Sequence, residues 1–332
     1  MKIYIDPSCD ILYSSFYING LYEIYGKANV AFSSKYFKSF KHDNHFFAFV
    51  VEDRKVLRKV VIDFTDSSHI DSVALDWCDV YGKINLDCTL PTSTKVIAIG
   101  PSFGIQIYSL LETLWYAVSN LLKSYHRIPN KRKFLSDYKA QWRRPKFSSY
   151  QSAPAQDPYV FFISSLWKQE PETNRFRAHF IRVCRLQKGI RFEGGFAPRT
   201  RNDMRGFEDL TAAERIGISE YLKKTSQSLM VFNTPAVKSC HGWKLAEYLC
   251  LGKAIISTPL QRALPSPLTH LEQVFYSLGD QETLKQAVNE LMTNTALRQQ
   301  LERGARHYFN TFLSPRQVIQ ALLDEKASSY IP

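Results

Sequence analysis

The sequence predicts an α/β fold built on two doubly wound parallel sheets, and three observations carry that expectation. Short apolar strands alternate with amphipathic helices through both halves of the chain. A stretch rich in Ser, Ala, Pro and Gln, residues 148–158, separates the two series as an interdomain linker would. A length of 332 residues is long for one core and comfortable for two domains.

In the first half, residues 2–5 read as a strand. Residues 17–25 read as a helix, with Ile18, Leu21, Tyr22 and Tyr25 on one side and Gly26 as its stop. Further strands are expected at 29–33, 46–51 and 60–64, with another at 75–81 despite Asp76 and Asp79. Residues 95–100 form a clear buried strand running into Gly100-Pro-Ser-Phe-Gly104. The next helix, about 105–123, is expected to bury Ile107, Leu110, Leu111, Leu114, Val118, Leu121 and Leu122, which recur at helical spacing.

The second half restarts with a strand at 159–163. A helix at 174–186 carries Arg175, Arg177, Arg182 and Arg185. A strand at 190–193 precedes Gly194-Gly195, a helix closes over 221–225, and a strand follows at 228–232. The last helix opens with Ser314 as N-cap and Pro315 at its first position.

Composition narrows the class. Hydrophobic residues at 45% and aromatics at 14% describe a globular chain. The six cysteines (9, 78, 88, 184, 240, 250) include no Cys-x-x-Cys pair and no zinc-like spacing. The opening Met1-Lys-Ile-Tyr-Ile-Asp6 lacks the pattern of a secretory signal, and no run of eighteen apolar residues occurs. These features lead us to expect a cytoplasmic protein with free thiols. The net charge of +12 is unevenly placed. Residues 123–146 hold nine lysines and arginines against one acid, Asp137. Such an excess suits an anionic membrane surface or nucleic acid, and it is equally compatible with a solvated connection between domains.

The most informative segment is 239–259, which packs a polar loop, a helix, a glycine stop and a strand into about twenty residues. Leu245, Ala246, Leu249 and Cys250 form one apolar stripe. Gly252 stands where a left-handed cap is wanted, and Ala254-Ile-Ile-Ser257 reads as a strand ended by Pro259. His241 and Gly242 fall at the helix N-terminus, where free N–H groups and the helix dipole favour an anion. Lys244 and Glu247 share a face beside that end, so they either serve a ligand or pair with each other.

The run Glu247-Tyr-Leu-Cys-Leu-Gly-Lys-Ala-Ile-Ile-Ser-Thr258 resembles the donor half of GT-B glycosyltransferases of the group 1 type. That resemblance extends through Ser277-Leu-Gly-Asp280 to the last helix, covering roughly 155–332. It implies two Rossmann-like domains facing a cleft: 1–150 for the acceptor, 151–313 for a nucleotide-sugar donor. It also implies that 314–332 crosses back to the first domain. The family pattern pairs two glutamates, and Ser239 stands where the first would be. Donor identity and the stereochemical outcome are therefore open. Glu247, as the second glutamate, is implied to accept from ribose hydroxyls.

Ligands of parallel sheets bind beyond the carboxyl ends of the strands. Three such ends are polar or glycine-rich: Ser164-Ser165-Leu-Trp-Lys168, Gly194-Gly195 and 238–244. Ser165, Lys168, Arg182, Gly194, Gly195, His241, Gly242, Lys244 and Glu247 are thus the donor-site candidates. The glycines either admit a pyrophosphate or simply turn the chain. The arginine helix either clamps a diphosphate or faces solvent. His241 could also polarise the leaving group, and Asp10 is the first candidate base, ahead of Asp63, His69 and Asp66. No Asp-x-Asp motif occurs, so neither metal nor other cofactor is expected, and cations would compensate the departing diphosphate.

The expected function is sugar transfer from a nucleotide-sugar to a glycan or lipid-linked acceptor, in bacterial surface polysaccharide synthesis. The expected location is the cytoplasmic face of the membrane, contacted through 123–146. An epimerase of the same fold is one alternative. A basic nucleic-acid-binding protein is another, though no nucleic-acid motif supports it.

Overall fold

Alternating strands and helices assemble into two units, each with its own core. The computed structural model describes residues 1–40, 46–54, 56–89, 95–155, 158–199 and 205–324. One unit comprises 1–147, 262–266 and 311–332; the other comprises 148–261 and 267–310.

The first unit begins with β1 (Lys2–Ile5), α1 (Ile11–Tyr25), β2 (Val30–Phe32), β3 (Phe46–Asp53) and β4 (Val56–Asp63). It continues through α2 (Ser72–Trp77), β5 (Val80–Lys83), β6 (Val96–Ala98), α3 (Leu110–Lys123) and α4 (Lys131–Trp142). Its six strands lie in the order β2-β1-β3-β4-β5-β6. β1 with β2, β4 with β5 and β5 with β6 are parallel. β3 runs against both of its neighbours, pairing Ile5 with Phe49 and Phe47 with Ile62. The α/β class stands, but this sheet is mixed where a wholly parallel one was expected. The reason is chain length. Two residues join β3 to β4, enough for a hairpin and far short of a parallel crossover.

Two other expectations need correction here. Residues 75–81 do not form one strand: Asp71 caps α2 by accepting from the Ala74 N–H at 2.8 Å, and β5 starts only at Val80. The predicted apolar helix begins at Leu110, and it turns its stripe outward. Leu111, Trp115 and Leu122 are 78%, 70% and 72% exposed, and Leu110, Leu114 and Val118 are exposed with them. The side packed against the unit carries Thr113, Ala117 and Asn120. Spacing locates a stripe; it does not say which way the stripe faces.

The second unit contains β7 (Tyr159–Ser164), α5 (Pro171–Leu186), β8 (Arg191–Phe196), α6 (Ile218–Gln227), β9 (Val231–Asn233) and α7 (Trp243–Leu251). β10 (Ile255–Ser257), β11 (Phe275–Tyr276), α8 (Gln281–Thr293) and α9 (Thr295–Tyr308) complete it. All its strand pairs are parallel, in the orders β7-β8 and β11-β10-β9. Leu229 donates its N–H to the Tyr159 carbonyl at 2.7 Å, joining the edges of the two sheets. Phe162, Phe180 and Phe232 meet in the core between sheet and helix, with Phe180 stacked on Phe232 at 4.6 Å. Gly194 and Gly195 lie inside β8, not after it as the sequence suggested. A Cβ on Gly194 would stand 2.0 Å from the Phe162 carbonyl oxygen, and one on Gly195 would stand 2.2 Å from that of Leu210. Close backbone packing alone demands both glycines.

The chain then returns to the first unit as α10 (Pro315–Leu323), which packs on α1. Gly20 of α1 makes this approach possible, because a Cβ there would sit 2.2 Å from the Pro315 carbonyl oxygen. Arg58 of β4 donates to the carbonyls of Leu322 and Leu323 at the far end of the helix. Replacing Gly20 by Ala gains about 1 kcal/mol of helix propensity. It forces a backbone collision whose cost, about 1–3 kcal/mol, is the larger. Urea denaturation of Gly20→Ala should therefore show a net loss of stability, and an unchanged or raised midpoint would contradict this packing.

Candidate active site

The carboxyl ends of β7 and β9 and the start of α7 surround a pocket of ≈ 160 Å³ in the second unit. Its polar lining is Ser164, Ser165, Arg177, Asn233, Thr234 and Lys244. Phe162, Trp167 and Trp243 supply apolar wall. Among the described residues, no acidic side chain lines it. The volume suits a phosphate or diphosphate group rather than a complete nucleotide, whose sites run to roughly 300–1,000 Å³.

Each lining group arrives for a local reason. Residues 164–165 and 233–234 are where β7 and β9 end, so their side chains project past the sheet. Arg177 belongs to the buried stripe of α5, together with Asn174, Ala178, Ile181 and Cys184. Its Nε donates to Thr234 Oγ1 at 2.9 Å and its NH1 to the Ser165 carbonyl at 2.9 Å. Lys244 sits in the first turn of α7, whose N-cap is Gly242. That turn presents free N–H groups and the positive end of the helix dipole. The Lys244 ammonium donates to the Ile163 carbonyl and lies 5.1 Å from the Phe162 ring centre.

The electrostatics are unbalanced. Burial, with the neighbouring Arg177 charge, brings the Lys244 pKa down to about 7, against a smaller opposing pull from Glu247. Burial likewise lowers Arg177 to about 10, so it stays charged at neutral pH. A charged guanidinium and a lysine only partly protonated at neutral pH therefore share one pocket, with no carboxylate among the described residues of its wall. Ser164 adds a further polar group without a protein partner. Its hydroxyl is buried without a hydrogen-bond partner, in a residue 5% exposed. An oxyanion in the pocket would satisfy all three groups at once.

Ser165, Gly242 and Lys244 are thus the predicted donor-site residues that line this pocket. His241 is buried just before the α7 N-cap and is not part of the lining. Glu247 is 3% exposed, and its carboxylate accepts from the Tyr221 hydroxyl at 3.1 Å, turned into the unit. That burial, with the Glu247 charge next, holds the Tyr221 phenol well above its ordinary range. Lys168 is exposed in the turn after β7 and Arg182 is half-buried farther along α5; neither lines the pocket. Gly194 and Gly195 serve strand packing, as described above. The other helix arginines diverge: Arg175 pairs with Glu172 at 3.3 Å and Arg185 donates to the Asp209 carbonyl. Ser164, Asn233 and Thr234 were not singled out from sequence. Arg177 was seen only as one of four arginines, although its place among apolar residues at 3- and 4-residue spacing was the available signal.

In the first unit the proposed bases are structurally engaged or exposed. Asp10 caps α1 through the N–H groups of Leu12 and Tyr13 and pairs with Lys133 at 2.8 Å. Asp63 is buried against Lys83 and Tyr81, each at 2.6 Å. Asp66 and His69 are exposed in the loop after β4. Among the described residues, no three His, Cys, Asp or Glu side chains gather as metal ligands.

No family model matches the sequence, and no curated protein matches it. Among solved structures, the chain is similar to a glycosyltransferase from Rickettsia africae ESF-5, at 10% identity and a TM-score of 0.44. That alignment covers 77% of this chain and 65% of the Rickettsia chain, less than two thirds of its length. It is also similar to the C-terminal domain of a glycosyl transferase group 1 family protein (LpcC) from Francisella tularensis, at 13% identity and a TM-score of 0.37, covering 50% of this chain and 96% of that one. A third similarity is to Anabaena Alr3699/HepE in complex with UDP and glucose, at 11% identity and a TM-score of 0.41, covering 76% and 78%.

The depressed Lys244 pKa has a stability consequence. Between pH 7 and the ordinary lysine range, the unfolded chain holds a proton on this residue that the folded chain has released. Its contribution to stability therefore rises with pH across that window. Lys244→Met removes this contribution. In chemical denaturation of both proteins from pH 7 to 10, wild type should gain on the variant as pH rises, and parallel profiles would show that Lys244 titrates normally.

Proposed function

We propose that this protein is a glycosyltransferase whose second unit binds the diphosphate of a nucleotide-sugar between Arg177, Lys244 and the N-terminus of α7. The carrying observation is the pair of neighbouring basic side chains at the strand ends, in a pocket with no acid among its described lining residues and beside the unsatisfied Ser164 hydroxyl. The sequence resemblance of 247–258 to group 1 glycosyltransferases supports the same reading.

In the proposed reaction the bond between the sugar anomeric carbon and the diphosphate oxygen breaks as the acceptor oxygen bonds to that carbon. The acceptor's proton passes to solvent water, and the nucleoside diphosphate leaves carrying the extra negative charge. Arg177 and Lys244 meet that charge as it develops, where a desolvated pocket makes cations most effective. An anion also favours the protonated form of Lys244, so binding draws in a proton near neutral pH. Asp10 has no part in this scheme, because its carboxylate already holds the α1 cap and Lys133. The acceptor we infer is a saccharide or lipid-linked saccharide of a bacterial surface polymer, modified at the cytoplasmic face of the membrane without a metal.

Thermal shift against UDP, GDP and their sugar conjugates tests the donor site. A ligand bound only by the folded state stabilises it by about 2.7 kcal/mol at a hundred times its Kd. Lys244→Met should weaken the best nucleotide at least tenfold, whereas Arg182→Gln, outside the pocket, should leave it within twofold. A nucleotide shift that survives Lys244→Met would move the donor elsewhere. Turnover of a nucleotide-sugar with no acceptor present would assign the epimerase reaction instead.

A further inference from the structure

The outward stripe of α3 has no counterpart in the donor site. Leu110, Leu111, Leu114, Trp115, Val118 and Leu122 form one continuous apolar face, all exposed. The opposite face holds the helix in place: Thr113 and Ala117 are buried, and Tyr116 packs on Phe32 and Tyr108. Asn120 donates to the Tyr138 hydroxyl at 2.8 Å, Ser109 and Glu112 form a capping box, and Lys27 pairs with Glu112. The helix is therefore fixed to its unit by a face of small, polar and tyrosine residues and offers its large apolar residues outward, unlike an ordinary surface helix.

What covers that face is indicated by its surroundings. Lys123 closes the helix, and the adjoining segment 123–146 holds nine basic residues against one acid. Some of these are used internally: Arg127 makes a bidentate pair with Asp6 at 2.8–3.0 Å, and Arg144 donates to the Gly104 carbonyl at 2.8 Å. Arg132, Lys139 and Arg143 are exposed on α4 and its end. Tyr125, exposed just beyond α3, adds a second amphipathic aromatic to Trp115. A second copy of this chain would bring the same positive segment against this one, which charge opposes. An anionic lipid surface complements both the apolar stripe and the cations.

We propose that α3 docks in the plane of an anionic bilayer, with its leucines and Trp115 among the upper acyl chains and the cations of α4 among the headgroups. Fourteen residues make a helix of about 21 Å, too short for a hydrocarbon core of about 30 Å, so the helix lies in the interface rather than across it. Among the described residues no helix is long and apolar enough to cross a membrane. Docking of this kind does not depend on the donor-site reading, and either can fail without the other.

The test uses the full chain and vesicles of phosphatidylcholine with and without 30 mol% phosphatidylglycerol. At low salt the protein should co-sediment with the anionic vesicles, and Trp115 emission should shift to the blue on binding. The triple variant Leu111→Ser, Trp115→Ser, Leu122→Ser alters exposed positions only and should keep its fold and its nucleotide thermal shift while losing at least tenfold in vesicle partitioning. Arg132→Glu with Lys139→Glu should lower binding to anionic vesicles and leave the small binding to neutral ones unchanged. Equal partitioning of wild type and the triple variant would overturn the proposal. So would light scattering that finds a wild-type dimer converted to monomer by the triple variant, because a second copy would then be the occupant.

Discussion

Arg177 stands close enough to make the Lys244 charge less favourable, Glu247 offsets only part of that, and no carboxylate lines the wall around them among the described residues. The rest of the second unit serves to hold that arrangement. α5 carries Arg177 in its buried stripe, so the guanidinium is anchored by Thr234 and the Ser165 carbonyl before any ligand arrives. α7 brings Lys244 over the end of β7, and Gly252 stops that helix in a left-handed cap so that β10 can enter the sheet. A site built this way is preorganised. The electrostatic cost is met during folding, and in the proposed donor reading a diphosphate would meet positioned basic groups rather than mobile ones.

The first unit follows a different logic. Its sheet has at its centre a hairpin whose short connection forces one strand to run backward, and Asp10 and Asp63 are committed to a cap and to ion pairs. Its distinctive surface is α3. The same unit that buries phenylalanines and tyrosines throughout its core leaves two leucines and a tryptophan of one helix more than two thirds exposed. Packing of the helix by Thr113, Ala117 and Asn120 shows that this exposure is part of the fold.

Much of this was legible in the sequence. Alternation set the class, and the segment after Ser239 was read closely: the helix, the glycine cap and the following strand all occur where their residues predict. What failed shares a cause. The reversed β3, the outward α3 and the in-strand position of Gly194 and Gly195 are decided by neighbours distant in sequence. Periodicity reports that residues share a face, and only tertiary contacts say what that face meets. The site shows the same division. Lys244 and Gly242 were accessible through helix-terminus chemistry, whereas Glu247 lies three residues along the same helix and turns inward to Tyr221. Arg177 was hidden among other arginines until the structure placed it inside the apolar stripe.

The return of α10 to the first unit has a consequence for how the protein is made. Gly20 leaves the ribosome well before the helix that covers it. At about 5–20 residues per second, roughly 15–60 s of synthesis separate the two. Over that interval the α1 surface beside Gly20 is uncovered, while the second unit already has almost all of its own chain. The α1 surface is thus made well before its cover, and a nascent chain is exposed to chaperones and proteases for as long as that gap stays open.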